Sequence, residues 1–249
     1  WWFLEDWYVS GTFSVSQEVT HSNVTTKENE LWASDTRLRA GTPRLVRIPT
    51  AKIDVSLGAE AVFPTSKPSI ARTMTVATGL FAGLSRKFSV LKGLTVSYNG
   101  RAQKRFHRYQ TRSLETPRID GCADLARGCD PYAHTGQRNA SFRHVHLGSV
   151  SISPIRQLTF SATGGVYVDH LYSAADAGAS AEAPIEGSNI RHTSLWLLNT
   201  TYRPMGWMGI SGGLRTVHPQ LAPDSTYYAP GFNRYSEWTL DVSVDVPHV

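Results

Sequence analysis

His192 and Ser194 stand two residues apart, and in a β-strand residues i and i+2 share a face. An imidazole beside a hydroxyl has the residue types of a general base and its nucleophile. The face they share also carries Trp196 and Leu198, the apolar side of its strand. Leu195 follows the serine and no acid stands near to orient the imidazole, so hydrolysis through His192 and Ser194 is an alternative and the expected chain is not an enzyme. Asp169 and His170 are neighbours, which in a strand sends them to opposite faces. A third group is histidine. With Val145 and Leu147 assigned to the apolar side, His144 and His146 fall on the polar side near His107, and three imidazoles are a candidate transition-metal site. No resident cofactor is expected.

Arg101, Lys104, Arg105, Arg108 and Arg112 form a basic ladder. Of these, Arg101 and Arg105 share a polar face with His107. Guanidiniums there can hold phosphates or carboxylates by charge-assisted hydrogen bonds. Pairing with Asp54, Glu60, Asp169, Asp241 and Asp245 is the preferred reading. The formal charge is +5 and the pI about 9.3, with Lys and Arg spread along the chain rather than in blocks, so nucleic acid is not an expected partner. Cys122 and Cys129 lie in a Gly- and Asp-rich stretch without further ligands at metal spacing, and a disulfide closing a small loop in an oxidising compartment is expected.

The elements that must position these groups alternate apolar and polar residues with a period of two. In Trp238–Val246, Trp238, Leu240, Val242, Val244 and Val246 take one face, and Thr239, Asp241, Ser243 and Asp245 the other. Such a segment has one face for an apolar medium and one for water. Similar stretches are read at 7–20, 32–48, 51–63, 70–84, 94–106, 140–152, 158–172, 191–202 and 207–217, with a bulge expected near Gly148-Ser149. The mean hydropathy is −0.26, and no aliphatic and aromatic run exceeds the length of Leu195–Leu198, far below the roughly 20 residues of a spanning helix. A spanning strand needs only about 9–11 residues, half of them apolar. Connections alternate between short turns and long loops, and Trp and Tyr fall near strand ends, as at a lipid–water interface.

In this pattern the chain resembles a small Gram-negative outer-membrane β-barrel over nearly its whole length. The resemblance implies an all-β fold, a closed antiparallel up-and-down transmembrane barrel of about 10 strands in one domain, residues 1–249. Trp238, Leu240, Val242 and Val244 then face lipid, both termini are periplasmic, and the cysteine loop is extracellular. Omptin proteases share the strand number, but the divergent Asp169 and His170 do not match their Asp–His couple. Outer-membrane lipid hydrolases resemble the His192–Ser194 pair on a lipid-facing strand but place Asn after the serine, where Leu195 stands here. The expected function is a structural, anchoring or protein-interaction component with a narrow charged lumen. Its expected partners are outer-membrane lipids, lipopolysaccharide and a protein in a membrane complex. A small pore, a lipid hydrolase and a soluble extracellular β-sandwich binding module are the alternatives.

Overall fold

The computed structural model of the chain describes residues 2–4, 6–17, 31–90, 93–113, 134–173, 189–220, 226–233 and 235–244. In chain order the strands are β1 (Trp2–Leu4), β2 (Trp7–Thr12), β3 (Val15–Gln17), β4 (Leu31–Ala33), β5 (Thr36–Ile48), β6 (Ile53–Phe63), β7 (Met74–Lys87) and β8 (Thr95–His107). They continue as β9 (Thr111–Ser113), β10 (His134–Arg138), β11 (Ala140–Ile155), β12 (Leu158–Leu171), β13 (Ile190–Met205), β14 (Met208–Pro219) and β15 (Ser236–Val244). One short helix, α1 (Lys67–Ala71), interrupts them.

The fold is all-β and antiparallel. Eleven strands form one sheet in the order β1-β2-β5-β6-β7-β8-β11-β12-β13-β14-β15, which is sequence order and therefore an up-and-down meander. The long strands thus belong to one sheet and not to two facing ones. The hairpins β3–β4 and β9–β10 extend the β2–β5 and β8–β11 connections, both at the end of the long loops. Among the described residues no ladder joins β15 to β1 or β2. No helix is long and apolar enough to cross a membrane, which says nothing of strands.

Most expected strands lie within a few residues of their expected ends, and the differences have local causes. Residues 70–73 do not begin a strand. Ser66 caps α1, its hydroxyl accepting from the Ser69 amide at 3.3 Å, and Pro68 suits the first turn because its missing N–H is an orphan there anyway. Asp35 ties the cap down, accepting from the Ser66 amide at 3.0 Å and the Ser69 hydroxyl at 2.5 Å. Pro43 stays inside β5, where the β5–β6 register shifts between Thr42 and Val46 and spares the proline a ladder donor. The bulge expected at Gly148-Ser149 is absent. The β11–β8 register runs unbroken from Phe142 to Ser151, and the β11–β12 shifts fall at Ala140/Phe142 and Ile152/Ile155.

The two faces of the sheet are inverted relative to a protein packed around an apolar core. Buried apolar residues are few: Val62, Met74, Ala77, Ala140, Val145 and Leu195. The buried set includes Glu60, Gln103 and Asp169, whereas Leu80 is 63% and Leu198 54% exposed. On β6 the exposed-face residues are Ile53, Val55, Leu57, Ala59, Ala61 and Phe63, and on β12 they are Leu158, Phe160, Ala162, Gly164, Val166, Val168 and His170. Neither row holds an Asp, Glu, Lys or Arg. Trp238, Leu240 and Val242 on β15 are exposed on this same apolar face, while the Val244 side chain lies outside the described residues.

Candidate functional site

The charged face is organised by one rung of the sheet. Residues directly opposite in an antiparallel ladder share a face. The pairings Ser10↔Arg39, Arg39↔Glu60, Glu60↔Gly79, Gly79↔Gln103, Gln103↔Arg143, Arg143↔Asp169 and Asp169↔Arg191 run without a break from β2 to β13. The result is a belt of alternating charge across the sheet.

Glu60 is one hub. Its side chain is wholly buried, and a carboxylate taken out of water costs several kcal/mol unless it is paired and hydrogen-bonded. Arg39 Nε donates to Oε2 at 3.2 Å, and Arg37 Nε lies 3.7 Å from the same oxygen. On the other side Arg101 Nε lies 3.0 Å from Oε1, and Gln103 Nε2 donates to it at 3.2 Å. Asp169 is the second hub. Arg143 engages both its oxygens through Nε and Nη2, and Arg191 Nη2 donates to Oδ2 at 3.0 Å. This bidentate fork supplies geometry as well as charge.

Aromatic rings brace the guanidiniums one rung below. Arg39 sits 5.5 Å from the Phe81 ring centre and Arg143 5.2 Å from that of Tyr167. Phe81 has room because its neighbours in register are Gly58 and, beyond it, Gly41; a Cβ on Gly58 would come within 2.8 Å of ring Cε1. Toward the short turns the charged face becomes hydroxyl-lined, with pairs Ser149–Thr163 at 2.8 Å, Ser153–Thr159 at 2.9 Å and Thr201–Ser211 at 2.9 Å.

Of the expected ladder, Arg101 and Arg105 stand on this face with His107, whose Nδ1 lies 2.8 Å from the Arg72 carbonyl. Lys104 turns to the opposite, apolar face and rides over the Tyr172 ring at 5.7 Å. Arg108 lies 5.4 Å from the Tyr109 ring, and the Arg112 side chain is outside the described residues. Asp54 pairs with Arg44 at 3.3 Å and Arg47 at 3.7 Å rather than with the ladder.

The histidine expectation is corrected. Arg143 must reach Asp169, so odd-numbered residues of β11 join the charged face, and Val145 is buried there at 3% exposure. His144 and His146 therefore fall on the apolar face, away from His107. There they join a ring-stacked strip: Tyr98 O–H lies 2.6 Å from His146 Nδ1, and the His144 ring centre is 6.4 Å from that of His146 and 5.3 Å from that of His170. Among the described residues no group of three or more His, Cys, Asp and Glu side chains is arranged to hold a metal ion. Asp169 and His170 diverge as adjacent strand residues must. His192 and Ser194 share the apolar face with Trp196 and Leu198, and no hydrogen bond between them is among those of the described residues. Cys122 and Cys129 lie outside the described residues.

One feature had no signal in the local pattern. His218, in register with Ser194, is 3% exposed on the apolar face because Tyr228, Gly231 and Tyr235 lie across this part of β14. The rings of Tyr228 and Tyr235 stand 5.6 and 6.5 Å from its own. The neighbouring Thr216 is fully buried, its hydroxyl 3.1 Å from the Gly231 carbonyl and 2.8 Å from Ser236 Oγ. The Tyr-rich composition of this stretch was visible, but not which strand it covers. Comparison with family models, with curated proteins and with solved structures gave no match.

Proposed function

We propose that the sheet closes into a transmembrane β-barrel of the bacterial outer membrane. In it the chain serves as a non-enzymatic structural, anchoring or protein-interaction component. One observation carries the reading: the two carboxylates of the belt are buried and paired with arginines on one face, while large apolar side chains stand exposed on the other. In water, exposing Leu80, Leu198, Phe160 and Trp196 forfeits roughly 1.5–3 kcal/mol of burial for each fully uncovered side chain. In lipid the same arrangement is the favourable one, because the apolar face meets hydrocarbon and the charged face lines the interior. An up-and-down order with short turns at one end and long loops at the other fits this placement, with the turns periplasmic.

The belt supports a structural role over an open pore. A barrel of about eight strands is just filled by side chains, and a slightly larger one crossed by Arg39, Glu60, Gln103, Arg143, Asp169 and Arg191 is narrowed at that rung. Interaction is placed in the long loops and on the exterior, where Tyr227 and Phe232 are exposed at the loop end. The test is gel mobility of heated against unheated detergent-folded protein, with partner identification after mild extraction and a phospholipid hydrolysis assay of wild type and Ser194→Ala. A heat-dependent shift with a co-purifying partner and no hydrolysis is expected. An identical band on both lanes rejects the closed barrel, and hydrolysis lost in Ser194→Ala replaces the structural role with a hydrolase.

A further inference from the structure

The belt is over-supplied with positive charge. At it and on the adjacent rungs six guanidiniums, Arg37, Arg39, Arg101, Arg105, Arg143 and Arg191, face two carboxylates, Glu60 and Asp169. Both carboxylates are already saturated. Glu60 takes Arg39, Arg101 and Gln103 with Arg37 close by, and Asp169 takes both arms of Arg143 and one of Arg191.

Arg105 is left over between the two hubs. Its Nε donates to Gln103 Oε1 at 3.2 Å, and among the described residues no carboxylate lies within ion-pair distance of it. The residue opposite it on β7 is Ala77, too small to cover it with a polar group. Arg143 and Arg72 add positive field, while the nearest acids already have partners: Asp169 with Arg143, and Asp35 with Ser66 and Ser69. A second observation points the same way. The Nε atoms of Arg37 and Arg101 lie 3.7 and 3.0 Å from Glu60, ion-paired but without an aligned hydrogen bond, so Glu60 has no capacity left for Arg105. An excess of guanidiniums over carboxylates, on a wall that barrel closure would enclose, concentrates anions by field focusing.

We infer that the charged face holds one small oxyanion at Arg105, between the Glu60 and Asp169 clusters. The planar guanidinium fork matches two adjacent oxygens, so the ligand class is a phosphate or a carboxylate rather than a halide. The anion supplies the negative charge that Arg105 lacks.

The inference rests on the barrel reading only in needing the face enclosed, and the test separates the two. Full-length protein folded in detergent is titrated with phosphate, acetate and chloride at constant ionic strength, following bound anion by calorimetry and the thermal unfolding midpoint. Saturable binding of phosphate, of acetate or of both is expected, with chloride inert; the anion that binds identifies the source. Arg105→Gln is expected to weaken binding at least about tenfold, the loss of one charged hydrogen-bonding partner. Arg215→Gln, which removes an exposed pair with Glu237 on β14–β15, should bind as wild type does. If Arg105→Gln does not fold, Arg105→Lys keeps the charge, removes the fork, and should still weaken binding. Equal responses to all three anions, or undiminished binding in the Arg105 variant that folds, overturns the anion site. A persistent heat-dependent gel shift in the same samples leaves the barrel standing, whereas its loss rejects the barrel itself.

Discussion

Glu60 and Gln103 hydrogen-bond at 3.2 Å although a complete strand, β7, runs between theirs. The residue of β7 on that rung is Gly79, and with no side chain there the carboxylate and the amide meet over the backbone. A Cβ on Gly79 would come within 2.5 Å of the Ala102 carbonyl oxygen and 3.2 Å of Gln103 Cβ. Gly79→Val therefore forces β7 and β8 apart and puts an apolar branch between two bonded polar groups. The expected cost is about 1–3 kcal/mol, the penalty of a buried group left unsatisfied. It is read as a lower urea midpoint in detergent. Gly206→Ala, in a turn where an added Cβ meets nothing within 4 Å, is the control and should leave the midpoint near wild type.

Glu60→Gln removes the only negative charge within reach of Arg37, Arg39 and Arg101 among the described residues. Breaking a fully buried pair costs about 3–5 kcal/mol, and because the three guanidiniums left behind are partly exposed the expected loss is smaller, about 1–3 kcal/mol. The double variant Glu60→Gln with Arg101→Gln should recover part of that loss. A double variant no more stable than the single one would show that the arginines are compensated elsewhere. Equilibrium unfolding of the three proteins measures it.

Period-two alternation was enough to find the long strands and to place His192, Ser194, Trp196 and Leu198 on one face, because β13 alternates without a slip. It failed on β11, where both parities carry apolar residues: Val145 and Leu147 on one side, Phe142, Val150 and Ile152 on the other. There the decision came from Arg143 reaching Asp169, a contact 26 positions apart in sequence. That the ladder arginines share a face with acids such as Glu60 and Asp169 was readable from the alternation, but which groups meet was not. Arg39, Glu60, Gly79, Gln103, Arg143 and Asp169 meet only once every intervening register is set, and register is a non-local property of turns and bulges.

Leu198 separates lipid from water as the medium on the apolar face. It lies near the middle of β13 and is 54% exposed, with Ala162 and Leu214 as its cross-strand neighbours. On a water-facing surface Leu198→Arg should change stability by no more than about 0.5 kcal/mol. At the midplane of a bilayer the same change costs about 2–4 kcal/mol. The expected result is the larger loss, measured as the unfolding free energy of protein folded into phospholipid vesicles. A near-neutral substitution there would place the face in water and sink the membrane reading.

The strap over β14 gives the last prediction. Thr216 is fully buried and His218 nearly so, yet both belong to the apolar face that elsewhere lies open, so their cover comes from Tyr228, Gly231 and Tyr235. Two kinds of contact hold that cover down. The Thr216 hydroxyl engages Gly231 and Ser236, and the rings of Tyr228 and Tyr235 enclose the His218 imidazole, themselves edge to face at 5.3 Å. Edge-to-face aromatic pairs contribute about 0.5–1.5 kcal/mol beyond their burial, and an orphaned buried hydroxyl costs about 1–3 kcal/mol. Tyr235→Ala removes a ring contact to both His218 and Tyr228, whereas Thr216→Val removes the hydroxyl and keeps the shape. Each variant should loosen the strap without disturbing the belt, which lies on the other face. The readout is modification of histidines by diethyl pyrocarbonate, located by mass spectrometry, with exposed His192 as the internal reference. In wild type His218 should react far more slowly than His192, and in either variant the ratio should rise toward one. A His218 that reacts as fast as His192 in wild type would mean that the strap does not cover the strand in solution.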